Sequence, residues 1–489
     1  MSKGLGRPGT YTCTVRLGRG VLPGPSPGRG PQEPNNGWPA IAPGALGALL
    51  RVEDRSMRLR RTPVTWALYG VNGAWASFIY LTGPVSPILS EDLGMSLAAA
   101  GLIGTALALG ISTASVTAPR AIRKLGRARV TRAGLVVAAA ALLGMILVPV
   151  VASGSVAFGL ILGLVWVGAI GGGTTLNAST ARLSEAHPEH SAQVITEANA
   201  AAAWVGLFSP LVLGAALGAG FGWQAGILAC LVAALAALVG LVVADRLTAR
   251  SAGARSGQDR AVVHTDASGQ APHFEVEQVL EPVFEPVPEP LPSSGATRVT
   301  LPRIFWLAMV ALFAAVATEF AINYWGSTLI QEQTGASASS ATAAMAASVA
   351  GVAIGRTVGS GLTQRWGPHR MLLGGFGLAL VGFGVLWMAG TLTLSVIGLF
   401  VAGLGIATLF PLILDRGIVL SAGHPDLAMA RSSLVLGLAA GSAPFALGAL
   451  GSVMPVRTAL LLVPVIVVVG LLGVVASRPT APERASVVG

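Results

Sequence analysis

This sequence is short of charge. Of its 489 residues only 11% are Asp, Glu, Lys or Arg, whereas 53% are hydrophobic. A soluble chain carries about 25% charged residues, so this one lacks the charge to cover a water-facing surface. Cysteine is nearly absent: Cys13 lies near the amino terminus and Cys230 in an apolar run, which offers neither a plausible disulfide nor metal-ligand spacing. No Walker-type phosphate loop, no Gly-x-Ser-x-Gly and no His/Cys/Asp cluster at metal spacing occurs. The sequence therefore reads as no enzyme, with no cofactor and no metal, and any energy it uses comes from a gradient.

What is abundant is apolar length. Runs longer than the roughly 18 residues that read as a membrane-spanning helix recur along the chain. The 64 glycines fit the same solvent, because they let helices pack closely in lipid. Hydropathy places spans at 64–89, 97–119, 133–152, 155–179, 192–217 and 222–244, then at 303–330, 338–362, 371–390, 394–414, 429–452 and 456–477. The expected fold is an all-α membrane protein of twelve transmembrane helices in two six-helix bundles, 63–244 and 303–478.

The net charge of +10 raises the question of nucleic acid. The basic residues are spread over alternate loops and both termini, with Arg457 alone on the other side, and this distribution excludes a nucleic-acid face. It is the positive-inside pattern of a multi-pass protein of the cytoplasmic membrane, with both termini in the cytoplasm.

Three segments lie outside the bundles. Residues 1–62 are rich in Gly, Pro and Arg and are expected to be disordered. Within them Met57-Arg58-Leu59-Arg60-Arg61 forms a basic lead into the first span, an alternative start of the chain. The linker 245–302 contains Glu281-Pro282-Val283-Phe284-Glu285-Pro286, an acidic, proline-rich spacer of extended character. A short cytoplasmic tail, 479–489, ends the chain.

The halves repeat. Arg123-Lys124-Leu125-Gly126-Arg127 follows span two and Gln364-Arg365-Trp366-Gly367-Pro368 follows span eight. Ser209-Pro210-Leu211-Val212-Leu213-Gly214-Ala215 in span five matches Ala443-Pro444-Phe445-Ala446-Leu447-Gly448-Ala449 in span eleven, and His187-Pro188 and His424-Pro425 precede those spans. Such a repeat is the architecture of a transporter whose site lies between its halves.

On these motifs the chain, from about residue 62 to 478, resembles the major facilitator superfamily. That family's loop after span two reads Gly-x-x-x-Asp-Arg/Lys-x-Gly-Arg/Lys-Arg/Lys. Lys124, Gly126 and Arg127 match it, as do Arg365 and Gly367 in the second copy. Pro119 replaces the first Gly, and Arg123 and Gln364 stand at the acidic position, so the family's gating contacts are altered here. Glu319 to Gly326, Gly355-Arg356-Thr357-Val358-Gly359 and Gly403 to Pro411, with Gly83-Pro84-Val85-Ser86-Pro87, are similar to the bacterial sugar-permease and metabolite-exporter branch. The resemblance implies a secondary transporter whose spans one, four, seven and ten line a cavity.

The residues bear this out unevenly. Glu319 is the most deeply placed acid, and a carboxyl at membrane depth is functional by default. It is expected in the outer half of span seven, facing the cavity, with Asn323 and Gly326 on the same helix face at i+4 and i+7. Arg356 is expected nearer the cytoplasmic end, too far along the helix axes to pair with Glu319. Tyr69, Asn72 and Trp325 join the expected substrate- and proton-binding set. Glu197 reads as a solvated face, and Thr174, Thr175 and Asn177 after Gly171-Gly172-Gly173 read as close packing. Arg123, Gly126, Arg127, Arg365 and Gly367 are the expected gating-loop residues.

The expected activity is alternating-access transport of a small organic solute, coupled to protons, with the lipid bilayer as the other partner and a monomer as the unit. An efflux pump for amphiphilic compounds is the alternative. A receptor or scaffold acting through the proline-rich linker is a third reading.

Overall fold

Lipid offers no hydrogen bonds, so an apolar run must satisfy its own backbone, and helices do so segment by segment. In a computed structural model of the chain, which describes residue 59 and residues 61–262 and 300–478, every regular element is helical and no strand occurs among the described residues. The expectations for the amino-terminal tail, the acidic proline-rich stretch and the carboxyl tail fall outside the described residues.

The first half comprises α1 (Pro63–Asp92), α2 (Leu97–Leu125), α3 (Arg127–Val151), α4 (Gly154–Ala186), α5 (Ser191–Gly206, resuming at Phe208–Gly218) and α6 (Gln224–Val262). The second half comprises α7 (Arg303–Thr334), α8 (Ala338–Ala344, resuming at Ala346–Trp366) and α9 (Pro368–Met388). It ends with α10 (Leu392–Ile406, resuming at Leu409–Val419), α11 (Pro425–Gly451) and α12 (Val456–Ala459, resuming at Leu462–Ala476). Eleven segments are long and apolar enough to cross a membrane by composition. The exception is α1, equally long but carrying Tyr69, Asn72, Ser77, Tyr80, Thr82 and Ser86. The helices outrun the expected spans: α4 and α7 each continue several residues further, and α6 extends well past 244 into the linker.

Three of the four broken helices have a proline three residues beyond the gap. Pro210, Pro411 and Pro464 lack an N–H for the carbonyls of Gly206, Ala407 and Leu460, and the ladder interrupts there. Pro444, the counterpart of Pro210 in the sequence repeat, leaves α11 unbroken.

Each half has its own hydrophobic core. One is built around Phe78, Leu107, Phe158 and Trp223, the other around Phe305, Tyr324, Phe376 and Leu409. The repeat is visible in the backbone at the two short loops. Gly126 (φ 79, ψ 151) and Gly367 (φ 81, ψ 153) each end one helix and start the next in a single residue, a conformation that favours glycine. Across the halves α1 packs on α7, α2 on α11 and α5 on α8. Exchange of the halves maps the last two pairs onto each other.

Candidate transport site

One end of the molecule, where α2 meets α3 and α8 meets α9, carries most of the described basic residues and forms a basic face. Toward the opposite, far face the halves are pressed together at glycines. A Cβ on Gly101 of α2 would lie 2.6 Å from Phe445 Cα and from the Pro444 carbonyl oxygen of α11. One on Gly83 of α1 would lie 2.5 Å from the Asn323 carbonyl oxygen of α7, and one on Gly214 of α5 would lie 2.8 Å from Ala343 Cβ of α8. Hydrogen bonds tie the same pairs: Ser339 Oγ donates to Gly214 O at 2.7 Å and Thr105 Oγ1 to Gly441 O at 2.7 Å.

Between this seal and the basic face lies a cavity of ≈ 370 Å³ lined by both halves. Glu319 of α7 and Arg356 of α8 face it, with Asn72 and Tyr80 of α1 opposite. Trp75, Phe320 and Phe410 supply aromatic wall. Ser115, Asn177 and Asn199, on the basic-face portions of α2, α4 and α5, line it and are exposed. The cavity thus opens toward the basic face and ends blindly at the glycine seal.

The depth expectation for the two charges needs correction. With α7 running to Thr334, Glu319 sits at the middle of the helix rather than in its outer half. Arg356 lies about four residues from the middle of α8, roughly 6 Å of rise. The two therefore stand at neighbouring depths and within electrostatic reach of each other. Neither forms an ion pair within 4.0 Å among the described residues, as expected for their direct contact although not for their depth. Tyr80 lies within reach of both charges.

Three expected site residues lie elsewhere. Asn323 shares the Glu319 face, but the halves converge there, and its amide donates to Ile79 O at 3.4 Å within the seal. Trp325 is buried, its indole N–H donating to Pro444 O at 3.1 Å, and Gly448 leaves room for its ring. Tyr69 lies near the basic face, where its hydroxyl donates to Glu197 at 2.8 Å. Asn72 lines the cavity yet is buried and accepts from Ser179 Oγ at 2.8 Å.

Glu197 is partly exposed and is also paired. It takes both oxygens to the Arg61 guanidinium, at 2.7 and 2.9 Å, and accepts from Gln193 at 3.0 Å. Beside it Thr65 Oγ1 and His187 Nε2 share a 2.8 Å hydrogen bond. Partial burial, with His190 and Arg61 nearby, holds the His187 ring below its ordinary range.

Among the gating-loop residues, Arg127 pairs with Glu185, while Arg123 and Arg365 are exposed. A separate acid, on α6, ties the same half together. Asp245 bridges Arg182 of α4 at 2.6 Å and Arg132 of α3 at 3.0 Å. In the second half the buried Arg416 of α10 donates to Val474 O at 2.9 Å and meets His369 Nδ1 at 3.1 Å, joining α9, α10 and α12 as Asp245 joins α3, α4 and α6.

Sequence reading missed Tyr80 as a cavity residue, and it singled out Asn177 and Asn199 without placing them in the cavity. Tyr80 has a signal, lying 8 and 11 residues from Asn72 and Tyr69 on one helical face. Asn177 was assigned to packing, which Gly172 does provide by making room for Trp75, and Thr175 by donating to Thr131 O at 3.3 Å.

Two six-helix halves, a cavity between them and a seal on one side define a membrane transporter that works from the space between its bundles. The chain belongs to the Major Facilitator Superfamily, whose family model matches residues 68–417. No curated protein sequence matches it. Among solved structures it is similar to the xylose transporter XylE from E. coli in a partially occluded inward-open conformation, at 11% identity and TM-score 0.60, covering 84% of this chain and 96% of that one. It is similar also to the E. coli fucose:proton symporter FucP in its outward conformation, at 17% identity and TM-score 0.53, covering 85% and 99%. A bacterial homologue of the human lysosomal transporter Spinster, inward-facing and occupied, matches at 15% identity and TM-score 0.56, covering 86% and 97%.

Proposed function

We propose that this secondary transporter moves a small organic solute across the cell membrane by alternating access, coupled to protons through Glu319. The basic face is cytoplasmic in this reading, by the positive-inside rule, so both termini are inside and the cavity is open inward. The units that rock are 63–244 and 303–478, with the central linker joining them. Gly126 and Gly367, with Arg123, Arg127 and Arg365 around them, serve the cytoplasmic gate, and the Asp245 and Arg416 clusters keep each bundle rigid as it moves.

One observation carries the proposal: Glu319 lines the inter-bundle cavity at mid-helix with no ion-pair partner within 4.0 Å among the described residues. A carboxyl whose access to water and distance from Arg356 change as the bundles rock changes its proton affinity with them. That linkage is what proton coupling requires. In proteoliposomes, Glu319→Gln is expected to abolish uphill transport driven by a pH gradient while leaving counterflow exchange. Retention of both, or loss of both in a folded protein, removes the coupling role.

Export is the second reading, favoured by the aromatic wall of Trp75, Phe320 and Phe410, which suits amphiphilic cargo. A deletion strain more susceptible to amphiphilic compounds points to export, and one that loses uptake points to import.

A further inference from the structure

The proposed coupling uses Glu319 and leaves Arg356 without a task. Other inward-reaching arginines have fixed partners: Arg132 and Arg182 hold Asp245, and Arg416 holds Val474 O and His369. Arg356 forms no ion pair within 4.0 Å among the described residues, although it is half-buried on the cavity wall. The neighbouring Gly355 and Gly359 pack against Ala407 and Thr408 of α10, which fixes that side of α8.

We infer that the cargo is an organic anion, a carboxylate on an apolar or aromatic body, seated on Arg356; this rests on the transport reading of the cavity. A guanidinium is a planar fork of donors that matches a carboxylate with two parallel hydrogen bonds. A single arginine gives one such seat. A phosphate dianion needs further cations, and the cavity's other charged residue is the acid Glu319. Cationic cargo meets repulsion from Arg356. A neutral polyol finds the amides of Asn72, Asn177 and Asn199 but leaves the guanidinium unpaired when the cavity closes, and closing over an unpaired charge is costly. Occlusion is least costly when Arg356 holds a carboxylate and Glu319 holds a proton. Trp75, Phe320 and Phe410 then cover the body of the molecule.

Equilibrium binding to the purified full chain, with no gradient present, tests this. The probes are acetate, phenylacetate and decanoate, each beside the amide and the amine of the same carbon skeleton, read by thermal stabilisation and titration calorimetry. Phenylacetate or decanoate is expected to stabilise the wild type and the amines are not. Arg356→Gln should weaken carboxylate binding about tenfold or more while amide binding is unchanged. Arg356→Lys should retain part of it, and the unliganded melting midpoints report that both variants fold. Glu319→Gln should still bind carboxylates. Stabilisation by the amines, equal carboxylate affinity in wild type and Arg356→Gln, or no carboxylate binding overturns the inference. Proton-driven transport of a neutral solute would sink the anion assignment alone, whereas Arg356-dependent carboxylate binding without proton-driven transport would sink the coupled-transport reading alone.

Discussion

Glu319 of α7 and Arg356 of α8 face one cavity at neighbouring depths yet form no ion pair within 4.0 Å. Each charge stands in the other's field. Removing one leaves the other uncompensated; removing both does not. Glu319→Gln and Arg356→Gln are each expected to lower the melting midpoint, and the double variant to fall less than their sum. Because the two share one cavity without direct contact, the coupling should be modest, about 0.5–1 kcal/mol. Additive shifts would show that the two do not sense each other.

Most of the fold was legible because lipid leaves a chain few options. Twelve apolar runs, alternate basic loops and the Pro210 and Pro444 segments led to two six-helix halves. Identity of the site was half legible. Glu319, Arg356 and Asn72 stood out as polar groups in apolar helices and do line the cavity. Asn323 and Trp325 stood out in the same way and seal the far face instead. Helical phase assigns a residue to a face, but where that face leaves the cavity and enters a helix contact depends on the tilt between bundles, which one sequence does not encode. Depth failed for a simpler reason. Hydropathy ended span seven at 330, and the added turn to Thr334 moved Glu319 to the centre.

At the basic face, His187 gives a pH signature. Its folded pKa lies below the ordinary 6.5, chiefly through burial, with His190 and Arg61 adding to the effect. The fold therefore prefers the neutral ring, and the resulting stability is present above the unfolded value and is lost as pH falls through the folded one. The melting midpoint should drop as buffer pH is lowered from 7 to below about 6, and His187→Gln should flatten that slope. An unchanged slope in His187→Gln would assign the effect to another group.

Asp245 makes a structural prediction about the altered loop motif. Its carboxylate is the shared acceptor for Arg132 and Arg182, so Asp245→Asn leaves two guanidinium groups facing an amide. The expected loss is about 1–3 kcal/mol, discounted for the partial exposure of Arg132, and is read as a lower melting midpoint with ligand binding in the cavity retained. The reciprocal Arg123→Asp, which restores the family's acid at an exposed position, should change the midpoint little. A larger effect from Arg123→Asp than from Asp245→Asn would return the clamp to the loop.

The far-face seal makes the most direct prediction about alternation, because the atoms opposing Gly101 are backbone and cannot rotate aside. A methyl group there would sit 2.6 Å from Phe445 Cα and from the Pro444 carbonyl oxygen, so α2 and α11 must part for Gly101→Ala to be accommodated. If each half moves as one body, parting α2 from α11 also parts α5 from α8. An Ala343→Cys reporter on α8, beside Gly214 of α5, reads that second contact from a distance. With Cys13 and Cys230 replaced, a membrane-impermeant maleimide added at the far face should label Ala343→Cys faster when Gly101→Ala is present. An increase of about tenfold corresponds to about 1.4 kcal/mol of shifted equilibrium between the two openings. Gly374→Ala, where an added Cβ meets nothing within 4 Å, is the matched control and should leave labelling unchanged. Faster labelling with the Gly101 substitution alone establishes that the two symmetry-related contacts open together. Equal labelling in all three backgrounds would mean that the strain is absorbed locally and that the halves do not move as units.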